Sequence, residues 1–171
     1  MLRGINLGKR TLVKADLLAA AQAAGFSEAR TLLASGNLVF EAGDRPAETI
    51  ERDLHQAVAQ ATGIQSKVFV RNHAELARVI AANPFPEVAR DRPGQLLVTF
   101  HREPVPPAAV EQIAAAHEGP ERLRAVGREL YVDFPLGQGA SLLDRTMAKL
   151  KLLPPGTGRN WNTVGKLADM L

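Results

Sequence analysis

The sequence predicts an α+β protein made of two similar units, and three observations lead to this. The order β-α-β-β-α is read twice along the chain from the spacing of apolar residues and turn residues. A Pro/Gly-rich stretch, residues 83–94, separates the two copies. Hydrophobic residues make up 46% of the 171 residues and charged residues 23%, the usual balance of a globular protein. We therefore expect one domain over residues 1–84 and a second over residues 85–171.

Glycine and proline mark the predicted elements of the first unit. Gly25 stops a helical apolar pattern, Gly36 lies between two short apolar runs, and Pro46 and Gly63 bracket a second helical pattern. The predicted elements are a strand near residues 2–5, a helix over 12–24, a hairpin over 29–34 and 38–40, a helix over 46–62 and a strand over 67–71. This order is β-α-β-β-α-β.

The second unit repeats this order after a connecting helix. The predicted elements are that helix over 73–82, a strand over 95–100, a helix over 107–116, a hairpin over 122–126 and 129–134, and a helix over 141–150. Pro154-Pro155-Gly156 stands where a fourth strand would follow, so we expect none, and the chain ends in a helix. The sequence thus predicts two ferredoxin-like βαββα(β) subdomains with antiparallel sheets and an extra C-terminal helix.

Composition excludes several classes of function. The chain has no cysteine, so thiolate metal sites and cysteine nucleophiles are excluded. The four histidines, at positions 55, 73, 101 and 117, are scattered without metal-ligand spacing, so we expect no metal and no cofactor. No apolar run approaches the roughly 18 residues of a membrane span, and the N-terminus lacks the apolar core of a signal peptide. We expect a soluble, cytoplasmic protein that does not act at a membrane.

Positive charge is concentrated at both ends of the chain. Residues 1–40 hold five Lys/Arg against two Asp/Glu, residues 41–140 hold eleven against fourteen, and residues 141–171 hold five against two. Arginine and lysine bind carboxylate and phosphate oxygens. The distribution predicts that an anionic ligand would bind near the termini.

The N-terminal motif is Arg3-Gly4-Ile5-Asn6-Leu7-Gly8-Lys9-Arg10, a glycine-bearing loop between a predicted strand and a predicted helix. Backbone amides of such loops bind anions. The spacing is one residue short of a Walker A loop, and the alternative is that both glycines simply permit tight turns. The ligand-binding residues predicted here are Arg3, Gly4, Asn6, Gly8 and Lys9.

The C-terminal motif is Thr157-Gly158-Arg159-Asn160-Trp161-Asn162-Thr163-Val164, which we expect to open the last helix. With Arg159 in the first turn, helical spacing would place it on one polar face with Asn162 or Thr163 and Lys166. The alternative is a capped helix whose Trp161 fills the core. The ligand-binding residues predicted here are Arg159, Asn160, Asn162 and Lys166.

These motifs resemble a known family. The opening Leu-Arg-Gly-Ile-Asn-Leu-Gly, the segment from Arg30-Thr31 to Ser35-Gly36-Asn37-Leu38-Val39-Phe40 and the terminal Arg159-Asn160-Trp161-Asn162-Thr163-Val164 are similar to those of a bacterial family of domains of unknown function, number 1697. The likeness spans the chain in order. It implies two ferredoxin-like subdomains and implies no activity.

Three hypotheses of function remain open. The first is a binding protein in which the two basic motifs converge into one cleft for a nucleotide, a nucleic acid or another anion. The second is a metal-independent enzyme acting on a small metabolite, with Lys9, Lys14, Lys149 or Lys166 as candidate base. The third is an interaction module whose motifs only join the two units. An RNA platform on the first sheet is not expected, because only Phe40 among the candidate strand residues is aromatic.

Overall fold

The computed structural model describes residues 1–5, 12–32 and 36–171. The chain forms two compact units, a first unit of Met1–His73 with Asp169–Leu171 and a second unit of Ala74–Ala168. With 45% helix and 18% strand in two antiparallel sheets, the predicted α+β class is confirmed. The predicted division into domains at residue 84 stays a prediction.

Most helices and strands follow the predicted order with short shifts at their ends, and the exceptions are α4, β6 and the strands predicted near residues 2–5 and 67–71. The helices are α1 Lys14–Ala23, α2 Ala47–Thr62, α3 His73–Ala81, α4 Pro86–Asp91, α5 Pro107–Ala116, α6 Leu143–Leu150 and α7 Trp161–Ala168. The strands are β1 Arg30–Leu32, β2 Asn37–Val39, β3 Leu96–His101, β4 Arg122–Val126, β5 Glu129–Asp133 and β6 Gly156–Asn160. Across the described ranges, none of these helices has the length and apolarity that a membrane span requires.

The sheet of the first unit is short. Strands β1 and β2 pair antiparallel, with Arg30 opposite Val39. The chain start lies beside β2, where the amide of Leu2 donates to the carbonyl of Gly36 over 2.8 Å. On its other side Leu2 forms an isolated antiparallel bridge with Val68. The spatial order is therefore β1, β2, the chain start and the segment around Val68.

The predicted strand over 67–71 is wrong in extent, because only the bridge at Val68 forms. Two backbone bonds flank it, from the amide of Arg3 to the carbonyl of Lys67 and from the amide of Phe69 to the carbonyl of Met1. Gly4, at a φ of 63°, then turns the chain start out of strand conformation. The segment around Val68 therefore has no further strand residues to pair with among the described residues of the chain start.

Helices α1 and α2 cover one face of the first sheet. Helix α2 begins at Ala47, one residue later than predicted, with Pro46 as its N-cap, and it ends before Gly63, where the sequence predicted its end. Gly63 takes the left-handed conformation. The apolar faces of the two helices meet the strands in a core that contains Leu2, Leu17, Leu38 and Leu54. Burial of these side chains provides most of the stabilisation that such a small sheet requires.

The second unit contains a complete four-stranded antiparallel sheet in the order β4-β5-β3-β6. This is the same spatial order as in the first unit, so the ferredoxin-like plan occurs twice. Helices α5 and α6 cover one face, where Ile113 and Leu143 are fully buried against Leu123, Leu130 and Val132. The hairpin of β4 and β5 confirms the prediction for residues 122–126 and 129–134.

Helices α3 and α4 cover the other face of this second sheet. The hydroxyl of Tyr131 in β5 donates to the carbonyl of Val79 in α3 over 2.7 Å. The guanidinium of Arg122 in β4 lies 4.7 Å from the ring centre of Phe85, which precedes α4. Phe100 and Tyr131 are therefore buried beneath helices rather than presented to bases. A sheet-face RNA platform is closed off in this unit.

The C-terminal segment corrects one prediction, and the Pro/Gly-rich residues 83–94 correct another. Residues 156–160, expected to form a loop and a helix start, form strand β6, which pairs with β3 so that Val98 lies opposite Arg159. Glycine-rich sequence disfavours strands locally, and pairing with a central strand of the sheet overrides that preference here. Helix α4, whose Pro86 stands in its first turn, was also missed, because Pro/Gly-rich sequence favours a linker.

Candidate functional site

The N-terminal motif is anchored by Ser66, which the sequence did not single out. The amide of Arg3 donates to Ser66 Oγ over 3.1 Å, and the same hydroxyl donates to the carbonyl of Arg3 over 2.8 Å. Ser66 is 2% exposed, so these bonds are protected from water. They fix the backbone of Arg3 while its side chain stays exposed.

Two glycines shape the chain next to Arg3. Gly4 has a φ of 63° and Gly36 a φ of 69°, both in the left-handed region. A Cβ atom added to Gly36 would overlap Cδ1 of Ile5 and lie 3.1 Å from Cβ of Leu2. The start of the N-terminal loop therefore packs on the residue that precedes β2. Asn6, Gly8, Lys9 and Ser35 lie outside the described residues.

Arg3 and Lys67 form a pair of cations at this end of the first unit. The bridge between Leu2 and Val68 and the bond from the Arg3 amide to the Lys67 carbonyl place the two residues opposite each other on adjacent segments. Both are exposed. Side chains directly opposite in an antiparallel pair have Cβ atoms about 5 Å apart, and like charges there repel. The arrangement concentrates positive charge beside a glycine turn.

In the C-terminal motif, Arg159 lies in β6 and is only 7% exposed. Its Nη1 donates to Thr157 Oγ1 over 2.9 Å and to the carbonyl of Gly158 over 2.7 Å. Burial lowers the pKa of Arg159 to about 10, so the side chain is still charged at neutral pH. The predicted first-turn position was wrong, and these two hydrogen bonds of Arg159 lie within its own strand.

Asn160 caps the last helix. Its Oδ1 accepts from the amide of Thr163 over 3.0 Å and from Thr163 Oγ1 over 2.9 Å, as an N-cap side chain does three residues before its partner. Asn162 and Lys166, four residues apart on α7, are exposed. Arg3 and Gly4 of the N-terminal motif belong to the first unit. The four predicted residues of the C-terminal motif belong to the second unit: Arg159, Asn160, Asn162 and Lys166. The predicted convergence of the two motifs stays a prediction.

A second polar cluster, in the second unit, was missed by sequence reasoning. His117 Nε2 lies 2.6 Å from Glu121 Oε2, and the two side chains are 5% and 4% exposed. Burial favours the neutral acid, but hydrogen bonds from Ser141 and His117 outweigh it and lower the pKa of Glu121. The spacing of four residues between His117 and Glu121, across a glycine and a proline, is the signal that was available.

Asp133 is the centre of a third polar cluster. It is 1% exposed, and its Oδ2 accepts from Arg122 Nε over 3.1 Å and from Arg122 Nη2 over 2.8 Å. Arg92 Nη2 donates to Asp133 Oδ2 over 3.3 Å and also lies 3.2 Å from Oδ1, a contact without hydrogen-bond geometry. Arg122 also bonds Glu87 over 2.8 Å and lowers the pKa of that carboxyl. These contacts join the sheet to α4 and its flanks and assign a structural role to the cluster.

Neither cluster offers metal chemistry. No group of three or more His, Cys, Asp or Glu side chains within residues 1–5, 12–32 and 36–171 is arranged to hold a metal ion. The described polar residues therefore contribute hydrogen bonds to the backbone, helix capping and buried ion pairs.

Comparisons with known proteins agree with the fold and add no activity. A solved structure of a conserved bacterial protein from Streptococcus pneumoniae superposes with a TM-score of 0.74 at 19% identity, covering 100% of this chain and 95% of that one. At this identity the likeness is one of fold. No curated protein matches the chain. The model of a family described as a protein of unknown function, DUF1697, matches residues 1–131. The chain belongs to the DUF1697 family, as its motifs indicated.

Proposed function

We propose that the protein binds a phosphate-bearing or other anionic ligand, a nucleotide or nucleic acid, at the N-terminal loop of the first unit. The observation that carries this proposal is the exposed pair of Arg3 and Lys67 on adjacent segments. Like charges on facing positions repel each other, and a bound anion would relieve that repulsion. A phosphate oxygen between them would convert that repulsion into two charge-assisted hydrogen bonds.

The backbone beside the pair favours the same ligand. Gly4 is exposed and takes the left-handed conformation, and it has no Cβ atom that would keep a ligand away from the main chain. Ser66 holds the Arg3 backbone from both its amide and its carbonyl. Because the backbone of Arg3 is fixed, less conformational entropy is lost when its side chain binds.

The chemistry expected of this site is recognition. The guanidinium of Arg3 can contact two oxygens of one phosphate, and Lys67 supplies a point charge. Exposed cations of this kind bind through electrostatic attraction that weakens as salt concentration rises. We therefore expect binding that depends strongly on salt and weakly on the identity of the base.

Calorimetric titration of the full chain with ATP and with a short single-stranded oligoribonucleotide tests the proposal. Arg3→Ala and Lys67→Ala should each weaken binding by about tenfold, which corresponds to ~1.4 kcal/mol. Arg52→Ala is the matched control, since Arg52 is an exposed arginine of the same unit that pairs with its neighbour Asp53. It should leave the affinity unchanged.

Two outcomes would overturn the proposal: no binding by the wild type at low salt, or equal weakening by all three substitutions. Lys166→Ala extends the titration to the C-terminal motif. Weaker binding by that variant would support the sequence prediction that Asn162 and Lys166 take part. Unchanged binding would restrict the site to the first unit.

A further inference from the structure

A cavity of about 640 Å³ lies in the first unit, at the ends of β1 and β2 away from Gly36. Its volume falls in the range of small-molecule sites, roughly 300–1,000 Å³. Ala29, Val39, Phe40 and Met170 supply apolar surface to its lining. Phe40 is held in place by Phe26, with the two ring centres 4.4 Å apart. The cavity therefore offers an apolar surface supported by the core.

Two carboxylates line this cavity from the segments that flank β1 and β2. Glu28 lies two residues before Arg30 and Glu41 two residues after Val39, and Arg30 is paired with Val39. Both line the cavity and both are exposed. Within the part of the chain that the structure describes, neither carboxylate has a hydrogen-bond or ion-pair partner.

The backbone at Glu28 is also unusual. Its φ is 55°, in the left-handed region that non-glycine residues rarely take. Such a conformation costs of order 1–3 kcal/mol and persists where the surrounding structure requires it. Here it turns the chain between Phe26 and β1 so that Glu28 faces the cavity rather than continuing the strand.

Arg30 is a cationic side chain of the lining, and it keeps its charge while one of its nitrogens bonds the backbone. Its Nη2 donates to the carbonyl of Met170 over 2.8 Å. The side chains of the lining therefore include two described carboxylates without a partner and one arginine bound to the backbone. Two glutamates and one arginine give these side chains a net charge of −1.

We propose that this cavity binds a small organic cation with an apolar body, of the arylalkylamine class. The ammonium group lies between Glu28 and Glu41, and the apolar body rests on Val39, Phe40 and Met170. An organic cation fits better than a metal ion, because no described group of three or more metal-ligating side chains is present there. This proposal is independent of the anion site, which lies at the opposite end of β2.

Three probes of nearly equal shape and different charge test it: phenethylamine, 2-phenylethanol and 3-phenylpropionate. Each is titrated into the full chain while backbone amide shifts are followed by NMR. Phenethylamine should bind at least about tenfold more tightly than the other two and shift the amides of Ala29, Val39 and Phe40. The preference follows from attraction to Glu28 and Glu41.

Charge-removing variants test the role of the two carboxylates. Glu28→Gln and Glu41→Gln should each weaken phenethylamine binding by about threefold, within the effect expected of exposed ion pairs, and together by about tenfold. Glu48→Gln, an exposed glutamate in the first turn of α2, is the matched control and should have no effect. All three variants replace an exposed side chain with its isostere and should fold as the wild type does.

Equal binding of phenethylamine and 2-phenylethanol would overturn the proposal, as would shifts confined to residues away from the cavity. Failure of this test leaves binding of ATP to Arg3 and Lys67 unaffected, and failure of that titration leaves this one unaffected. The two sites are therefore separable by experiment.

Discussion

The two sheets share one strand order but differ in how far their strands extend and in what covers them. In the first unit, β1 and β2 have 3 residues each and the remaining pairing is a single bridge. In the second unit, β3 has 6 residues and β4, β5 and β6 have 5 each, with helices on both faces. The shorter sheet leaves strand ends and turns accessible, and both proposed sites lie at its strand ends.

The difference separates stability from recognition. Long, doubly covered strands bury large side chains completely, as Leu96, Val98 and Phe100 are in β3. Such burial stabilises the fold but leaves no surface for a ligand. Short strands leave backbone amides and charged side chains near their ends in water, where ligands can reach them.

The largest effect expected from this comparison is the loss in free energy of unfolding when an aromatic side chain is truncated to alanine. Phe100→Ala should lower the free energy of unfolding by about 3–5 kcal/mol, because Phe100 is fully buried. Phe40→Ala in the first unit should cost clearly less, about 1–2 kcal/mol, because Phe40 is only half-buried at a strand end. Urea unfolding of the full chain, followed by circular dichroism, measures both. Equal costs would contradict the difference in burial.

A smaller loss in free energy of unfolding is expected when a glycine is replaced by alanine in each unit. Gly36 precedes β2 in the first unit, and Gly127 lies in the turn between β4 and β5 in the second. Gly36 has a φ of 69° and close neighbours, whereas Gly127 has a φ of 59° and open space, with nothing within 4 Å of where a Cβ atom would stand. Gly127→Ala should cost only the left-handed conformation, ~1 kcal/mol, and Gly36→Ala about 1 kcal/mol more from contact with Ile5 and Leu2. The same unfolding measurement compares them. A greater cost at Gly127 would show that the packing at Gly36 relaxes freely.

The smallest effect expected is a pH dependence from Glu121 in the second unit. Its pKa in the folded protein is below the ordinary value of 4.5, so it stabilises the fold above that pH, and the contribution is lost as pH falls through the folded pKa. Wild type should therefore lose stability below about pH 4.5 more steeply than Glu121→Gln. Glu118→Gln, an exposed neighbour, should follow the wild-type profile. Parallel profiles for wild type and Glu121→Gln would refute the assignment.

The buried pair beside Glu121 offers an independent check of that result. A Cβ atom added to Gly119 would overlap both Glu121 Oε2 and His117 Nε2, so Gly119→Ala must displace the pair. Gly119→Ala should therefore lose stability at acid pH less steeply than the wild type, as Glu121→Gln should. This is expected even though the variant keeps both His117 and Glu121.

The sequence by itself determined the class of the fold and most of its elements. Apolar spacing with Pro46 and Gly63 defined α2 to within one residue at each end, and the turn at Gly127 defined the hairpin of β4 and β5. These features depend on side-chain periodicity and backbone preference within a few residues, which are local properties of the chain. Arg3 and Gly4 were also singled out from local pattern, and their role in ligand binding stays a prediction.

Only the tertiary structure decided the rest. Residues 156–160 form a strand because β3 supplies the partner, and nothing within that glycine-rich segment indicates it. Ser66 and Lys67 bond the backbone of Arg3 across more than 60 residues, and Glu28 and Glu41 line one cavity although they lie 13 positions apart in the chain. Such contacts depend on which strands become neighbours, and that is set by the burial of the whole apolar surface rather than by any short segment.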